Sequence, residues 1–153
     1  MKLVLIAKGQ WTVYAICSDG STCPLLDFIS DVLDKKRGNK VLSDLREFVP
    51  WSTPEEWVKT DFSWKLRGTP NILEFRWPKK GGGTPRVFWF YDAGKVVVCY
   101  HGLNKKGDSV DPKEIAAVES ARSEYLRSKE NGTLEIVKLE DFDPPEQEEN
   151  EHG

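Results

Sequence analysis

The chain is short of several things that would direct it to particular classes. Its three cysteines, Cys17, Cys23 and Cys99, are an odd number without a C-x-x-C spacing, so no disulfide framework is expected. Two histidines cannot supply the cluster a zinc site needs. Apolar runs such as Leu3 to Ala7 fall far short of the roughly 20 residues that span a bilayer. Lys8-Gly9-Gln10 cuts that first run off before the roughly 7–15-residue apolar region of a secretory leader can form. A cytoplasmic protein with no membrane partner is expected. Glycine (12) and proline (9) are at ordinary usage, which excludes collagen-like and low-complexity chains. What remains is 153 residues, 39% hydrophobic and 31% charged, the composition of one soluble domain.

Net charge is −3, but its distribution is uneven. From Glu130 onward there are nine acidic residues and one lysine, which leaves 21 basic against 16 acidic residues in 1–129, a net of +5. A basic body with an acidic end suggests a working surface for a polyanion, with a tail that either solvates the chain or covers that surface.

Residues 2–7 and 10–17 are rich in Val, Ile, Trp and Tyr around Lys8-Gly9 and read as a strand pair. Pro24 opens a helix with Leu25, Leu26, Phe28, Ile29, Val32 and Leu33 at helical spacing, and Gly38-Asn39 is expected to stop it. A second helix over about 40–48 completes an αα-hairpin. Thr53-Pro54-Glu55-Glu56 has the form of a capping box. The period then changes to two. Residues 72–77, 86–92 and 95–101 are expected to form an antiparallel meander, joined by a long loop over 78–85 and by a two-residue turn at Ala93-Gly94. Alternation puts Leu73, Phe75 and Trp77 on a core face and Glu74 and Arg76 on the other, which is expected to be polar and open. Asp111-Pro112-Lys113-Glu114 starts a last helix whose apolar side is Ile115, Val118, Ala121, Tyr125 and Leu126. Residues 134–139 alternate as an edge strand would. The expected fold is α+β: a small antiparallel sheet, made of the meander 72–101 and the N-terminal strands, packed on the αα-hairpin, with a C-terminal helix. Residues 1–139 form one domain and 140–153 an acidic tail expected to be disordered.

Four separated blocks carry a resemblance. The run Trp64-Lys65-Leu66-Arg67-Gly68-Thr69-Pro70-Asn71-Ile72-Leu73-Glu74-Phe75-Arg76 resembles the "K-L-x-G-T-x-x-L-x-E-x-R" stretch of the HigB-like, phage-derived branch of the RelE/ParE toxins, with one extra residue between threonine and leucine. Arg86-Val87-Phe88-Trp89-Phe90 is similar to that branch's "R-V-F-Y-F" strand, Val98 to Lys106 to its "L-L-H-x-F-x-K-K", and Pro112-Lys113-Glu114-Ile115 to its "P-x-x-E-I-x-x-A" helix start. The branch usually has a Lys/Thr-Pro step where this chain has Ser109-Val110-Asp111-Pro112, and the acidic extension is longer than expected. The resemblance implies a toxin of a type II toxin–antitoxin system that cleaves mRNA in the ribosomal decoding site, held silent by a cognate helix-turn-helix antitoxin. A ParE-like toxin acting on a protein such as DNA gyrase is the alternative.

The chemistry can be set out independently. Cleavage by the ribose 2′-hydroxyl needs removal of one proton, stabilisation of the phosphorane oxygens and protonation of the leaving 5′-oxygen. No metal or other cofactor is required. Arg76 and Arg86 can grip phosphate oxygens, and Lys105 or Lys106 can move a proton. His101 is a further catalytic candidate, and Arg67, Lys79 and Lys80 are candidates for the RNA backbone. Each has a plainer reading: an ion pair with Glu74 for Arg76, a solvated strand end for Arg86, a hydrogen-bonded and partly buried histidine for His101, an ordinary polar loop for the lysines, and a turn anchor for Arg67. Gly81-Gly82-Gly83 between two strands, with lysines before it, is not a P-loop. Trp11, Trp77 and Trp89 fit a core; Trp51, Trp57 and Trp64 fall in an irregular segment and either pack it down or dock a partner.

Overall fold

A computed structural model of the chain describes residues 1–17, 22–78, 83–105, 107 and 110–142. Its elements are β1 (Lys2–Lys8), β2 (Thr12–Cys17), α1 (Pro24–Asp27), α2 (Lys35–Ser43), α3 (Pro54–Lys59), β3 (Ser63–Lys65), β4 (Leu73–Arg76), β5 (Thr84–Asp92), β6 (Val96–Lys105), α4 (Pro112–Glu130) and β7 (Glu135–Lys138). The strands form a single seven-stranded sheet in the order β3-β4-β5-β6-β2-β1-β7. It is larger than the strand pair and meander suggest, and mostly antiparallel. Two pairings are parallel: β2 lies beside β6, joining the N-terminal hairpin to the meander, and β7 lies beside β1 as the edge.

Both faces of the sheet are covered. On one, Phe75, Trp77, Val87, Trp89, Val97 and Cys99 meet the helical run through Leu25, Phe28, Val41, Leu45 and Trp57. Phe75 stacks on Trp89 and on Phe62, each at 4.5 Å between ring centres, and Trp57 stands edge-on to Phe75 and Trp89. On the other face, Leu3, Ile16, Phe88, Phe90 and Val98 lie under Val118, Ala121 and Tyr125 of α4. The expectation of an open second face is therefore corrected. Phe88 and Phe90 continue the alternation of β5 on that side, and the apolar side of α4 needs a surface to cover.

The helical run divides elsewhere than Gly38. The first segment, α1 continued by a wide turn through Val32, stops where Leu33 becomes extended (ψ 147°), and the Asp34 side chain caps α2 by accepting the Arg37 N–H at 2.9 Å. Gly38 sits inside α2, because a Cβ there would stand 2.6 Å from the Ile29 carbonyl oxygen. It is a close-approach glycine, and α2 with the turn that extends it runs on to Phe48. The capping box at Thr53 is present, with Glu56 N donating to Thr53 Oγ1 at 3.2 Å and Thr53 N to Glu56 Oε1 at 3.0 Å; such a cap contributes about 1 kcal/mol. The β5–β6 turn has three residues rather than two, with Gly94 and Lys95 both at positive φ. After β7 the chain makes a helical turn at Leu139–Asp141, and Leu139 and Phe142 pack on the helix-side core. Residues 143–153 lie outside the described residues.

Candidate functional site

The site is built where the α4-facing alternation of the meander runs out at one end of the sheet. Arg76 and Arg86 are directly opposed in the β4–β5 ladder, and Glu74 is two residues back on the Arg76 strand, hence on the same face. Its carboxylate stands between the two guanidiniums. Oε2 accepts from Arg76 Nη2 at 2.8 Å, and Oε1 is 3.6 Å from Arg86 Nη1. Glu74 and Arg86 are buried, at 1% and 3% exposure, while the Arg76 side chain keeps 27%. The triad carries two positive charges and one negative. Burying them is favourable only because they are paired, and withdrawal of the shared carboxylate would leave two cations in a poorly solvated place.

Each arginine is also held from the side. Arg86 Nη2 donates to the Gly107 carbonyl at 3.1 Å. The Arg76 guanidinium lies 4.1 Å from the centre of the Trp64 ring. Trp64 is on the edge strand β3, opposite Glu74, and its indole N–H donates to the Asp61 carbonyl at 2.8 Å. Among the described residues, Arg76 Nε is buried without a hydrogen-bond partner.

The third strand brings His101 and Lys105 to this face. Between the pairs Trp89–Cys99 and Val87–Gly102, two residues of β6, Tyr100 and His101, oppose the single Phe88, which is a bulge. Beyond it Leu103 faces Arg86 and Lys105 faces Thr84, so His101, Leu103 and Lys105 continue the arginine side. Gly102 points the other way and lets the Phe28 ring approach; a Cβ would stand 2.4 Å from it. His101 Nε2 is 2.7 Å from Glu114 Oε1 on α4. Burial pulls the His101 pKa below its usual value, and the Glu114 charge pulls against it. The carboxylate can only accept, so Nε2 carries the proton, and among the described residues the buried Nδ1 has no hydrogen-bond partner.

Two clefts flank the arginines. One, of about 640 Å³, is lined by Lys40, Asp44, Trp64, Arg76, Trp77 and Arg86. The other, of about 530 Å³, is lined by Trp64, Lys65, Arg67, Glu74 and Arg76 together with Val110 and Ile115 of the α4 approach. Trp64 and Arg76 belong to both. Of the residues singled out in the sequence, Arg76, Arg86, His101 and Lys105 thus share one face, and the exposed Arg67 joins them through the second cleft. Lys79, Lys80 and Lys106 lie outside the described residues. Sequence reasoning assigned no site role to Lys40 or Glu114, and to Trp64 only packing or the docking of a partner. The acidic position at the third residue of α4 was visible, but only as a helix-start signal; the Trp64–Glu74 pairing depends on a three-residue strand, too short to announce itself.

Comparison with known families reaches the same segment. The family described as phage derived protein Gp49-like (DUF891) matches residues 31–123, from the end of the first helical segment through most of α4. The chain belongs to this Gp49-like family. It is a family of toxins of toxin–antitoxin systems, RelE/HigB-like in kind, and membership implies a cognate antitoxin as partner. The matched span contains β3 to β6 and with them the whole arginine cluster. No curated protein and no solved structure matches the chain. Among the described residues no helix is long and apolar enough to cross a membrane.

Proposed function

We propose that this Gp49-like protein is a HigB-like endoribonuclease that cleaves mRNA, working on the ribosome and arresting translation in the cytoplasm, and that a helix-turn-helix antitoxin silences it. The observation that carries the reading is the opposition of Arg76 and Arg86 across β4 and β5, held by Glu74 at the wall of a cleft. In this mechanism Arg76, the more exposed of the two, takes the non-bridging oxygens of the scissile phosphate. Arg86 lies behind it and adds positive potential where the phosphorane gathers charge. The ribose 2′-oxygen attacks phosphorus and the bond to the 5′-oxygen breaks, leaving a 2′,3′-cyclic phosphate and a 5′-hydroxyl. The 2′-hydroxyl gives its proton to water or to a phosphate oxygen, and Lys105 or Lys106 supplies the one that the departing 5′-oxygen takes. His101, committed to Glu114 through Nε2, is the second candidate for proton transfer. Arg67, Lys79 and Lys80 hold the flanking backbone.

A ParE-like action on a protein target is favoured by one observation, the exposure of Trp51 (63%) and Val58 (62%) on the helical side. Large apolar side chains left in water are what a docking partner covers, although the antitoxin would serve as well. Induction of the chain in bacteria separates the readings. Rapid arrest of translation with codon-linked mRNA ends supports cleavage, whereas DNA damage without mRNA ends supports a gyrase-like target.

A further inference from the structure

The outer face of Trp64 is the feature that the cleavage chemistry above does not use. Tryptophan is the largest side chain available to a core, and Trp57, Trp77 and Trp89 are buried in this one. Trp64, by contrast, is 39% exposed. It is nevertheless fixed. Its N–H is held by the Asp61 carbonyl, and Asp61 adopts φ 60°, a left-handed conformation that aspartate tolerates better than most residues. One side of the indole carries the Arg76 guanidinium, and among the described residues no other aromatic ring packs on it. The ring therefore forms a ridge between the two clefts, one leading to Arg86 and Lys40, the other to Lys65 and Arg67.

We infer that Trp64 is a stacking platform for a nucleobase of single-stranded RNA, placed by its contact with Arg76 next to the phosphate to be cut. The inference rests on the endoribonuclease reading and adds a base-binding residue to it. A base can lie on an indole only when it is out of its own stack, so the site takes unpaired RNA and rejects a duplex. Stacking tolerates every base, so Trp64 contributes affinity and register, not sequence choice. Its cation contact has a second consequence: the ring restrains the guanidinium plane, so base and phosphate are presented to one rigid pair. Trp64 is in this sense a binding and positioning residue and takes no part in proton transfer.

The test uses the full chain and two fluorescent octamers that cannot be cleaved because every 2′-oxygen is methylated, one of adenosines and one abasic. Wild-type protein is expected to bind the adenosine octamer about tenfold more tightly than the abasic one, within the range that base–aromatic stacking supplies. Its tryptophan emission should be quenched by the adenosine octamer alone. Trp64→Leu should reduce the affinity ratio to near one, with most of the loss falling on the adenosine octamer and a smaller loss on the abasic one as Arg76 is released; Trp64→Phe should keep most of the ratio but lose the quenching. Arg76→Ala should weaken both octamers alike. A wild-type ratio retained in Trp64→Leu overturns the inference and leaves the nuclease reading standing. Wild-type protein that binds neither octamer better than Arg76→Ala does overturns the inference, and codon-linked mRNA ends on induction of wild type show whether the nuclease reading stands.

Discussion

On the side of β4 and β5 that meets the helical run, Phe75 and Trp89 stack at 4.5 Å and Trp57 closes over them, all fully buried. One residue along the same strands, on the side that meets α4, stand Glu74, Arg76 and Arg86, also largely buried but held by charge and hydrogen bonds. The same backbone carries both, since alternate side chains of a strand point to opposite faces. The first face obtains its stability from apolar area and fixes the strands; the second uses that rigidity to keep two cations side by side. Aromatic packing that immobilises β4 and β5 is therefore part of the site's preorganisation.

Substitutions can perturb either face on its own. Trp89→Ala should have the largest effect on folding, a loss of about 3–5 kcal/mol, read as a fall in denaturant midpoint and in soluble yield, with growth inhibition lost because the protein is lost. Glu74→Gln should follow at about 3 kcal/mol, because it leaves Arg76 and Arg86 without their shared carboxylate. Added phosphate should recover part of that loss by pairing with the partly exposed Arg76 guanidinium, and a variant as stable as wild type without phosphate would show that Glu74 does not hold the pair. The smallest effect concerns His101. Burial lowers its folded pKa below the unfolded value of 6.5, so the unfolded chain binds the extra proton first as pH falls. This group's contribution is present above 6.5 and is lost as pH falls through that value toward the lower folded pKa. His101→Gln should flatten that part of the stability–pH curve in urea titrations, and an unchanged slope would show that His101 does not cause it.

Much of the fold was legible because its signals are local. The Thr53 capping box, the Asp111-Pro112 helix start and the alternation of β4 to β6 depend on residues a few positions apart. What could not be read is non-local. The parallel pairings of β2 with β6 and β1 with β7 join segments that share no turn. The Ile29 carbonyl that makes Gly38 a packing glycine belongs to another helical segment, so glycine alone suggested a stop. The second face was misread for a related reason: Glu74 and Arg76 look solvated until Phe88, Phe90 and α4 are seen to close over that side. At the site, Arg76 and Arg86 stood out by chemistry together with the family resemblance, while the placing of Trp64 against Arg76 and of Glu114 against His101 is visible only in the fold.

The central claim is that the arginine face works and the aromatic face supports it, so function should be separable from folding at Arg76. The most direct measurement is growth arrest on induction of Arg76→Ala, with soluble expression and thermal midpoint measured beside wild type, since only a partly exposed guanidinium is removed and Glu74 keeps Arg86 as a neighbour. A midpoint within a few degrees of wild type and no growth arrest are expected. Full growth inhibition by Arg76→Ala at equal soluble expression would contradict it.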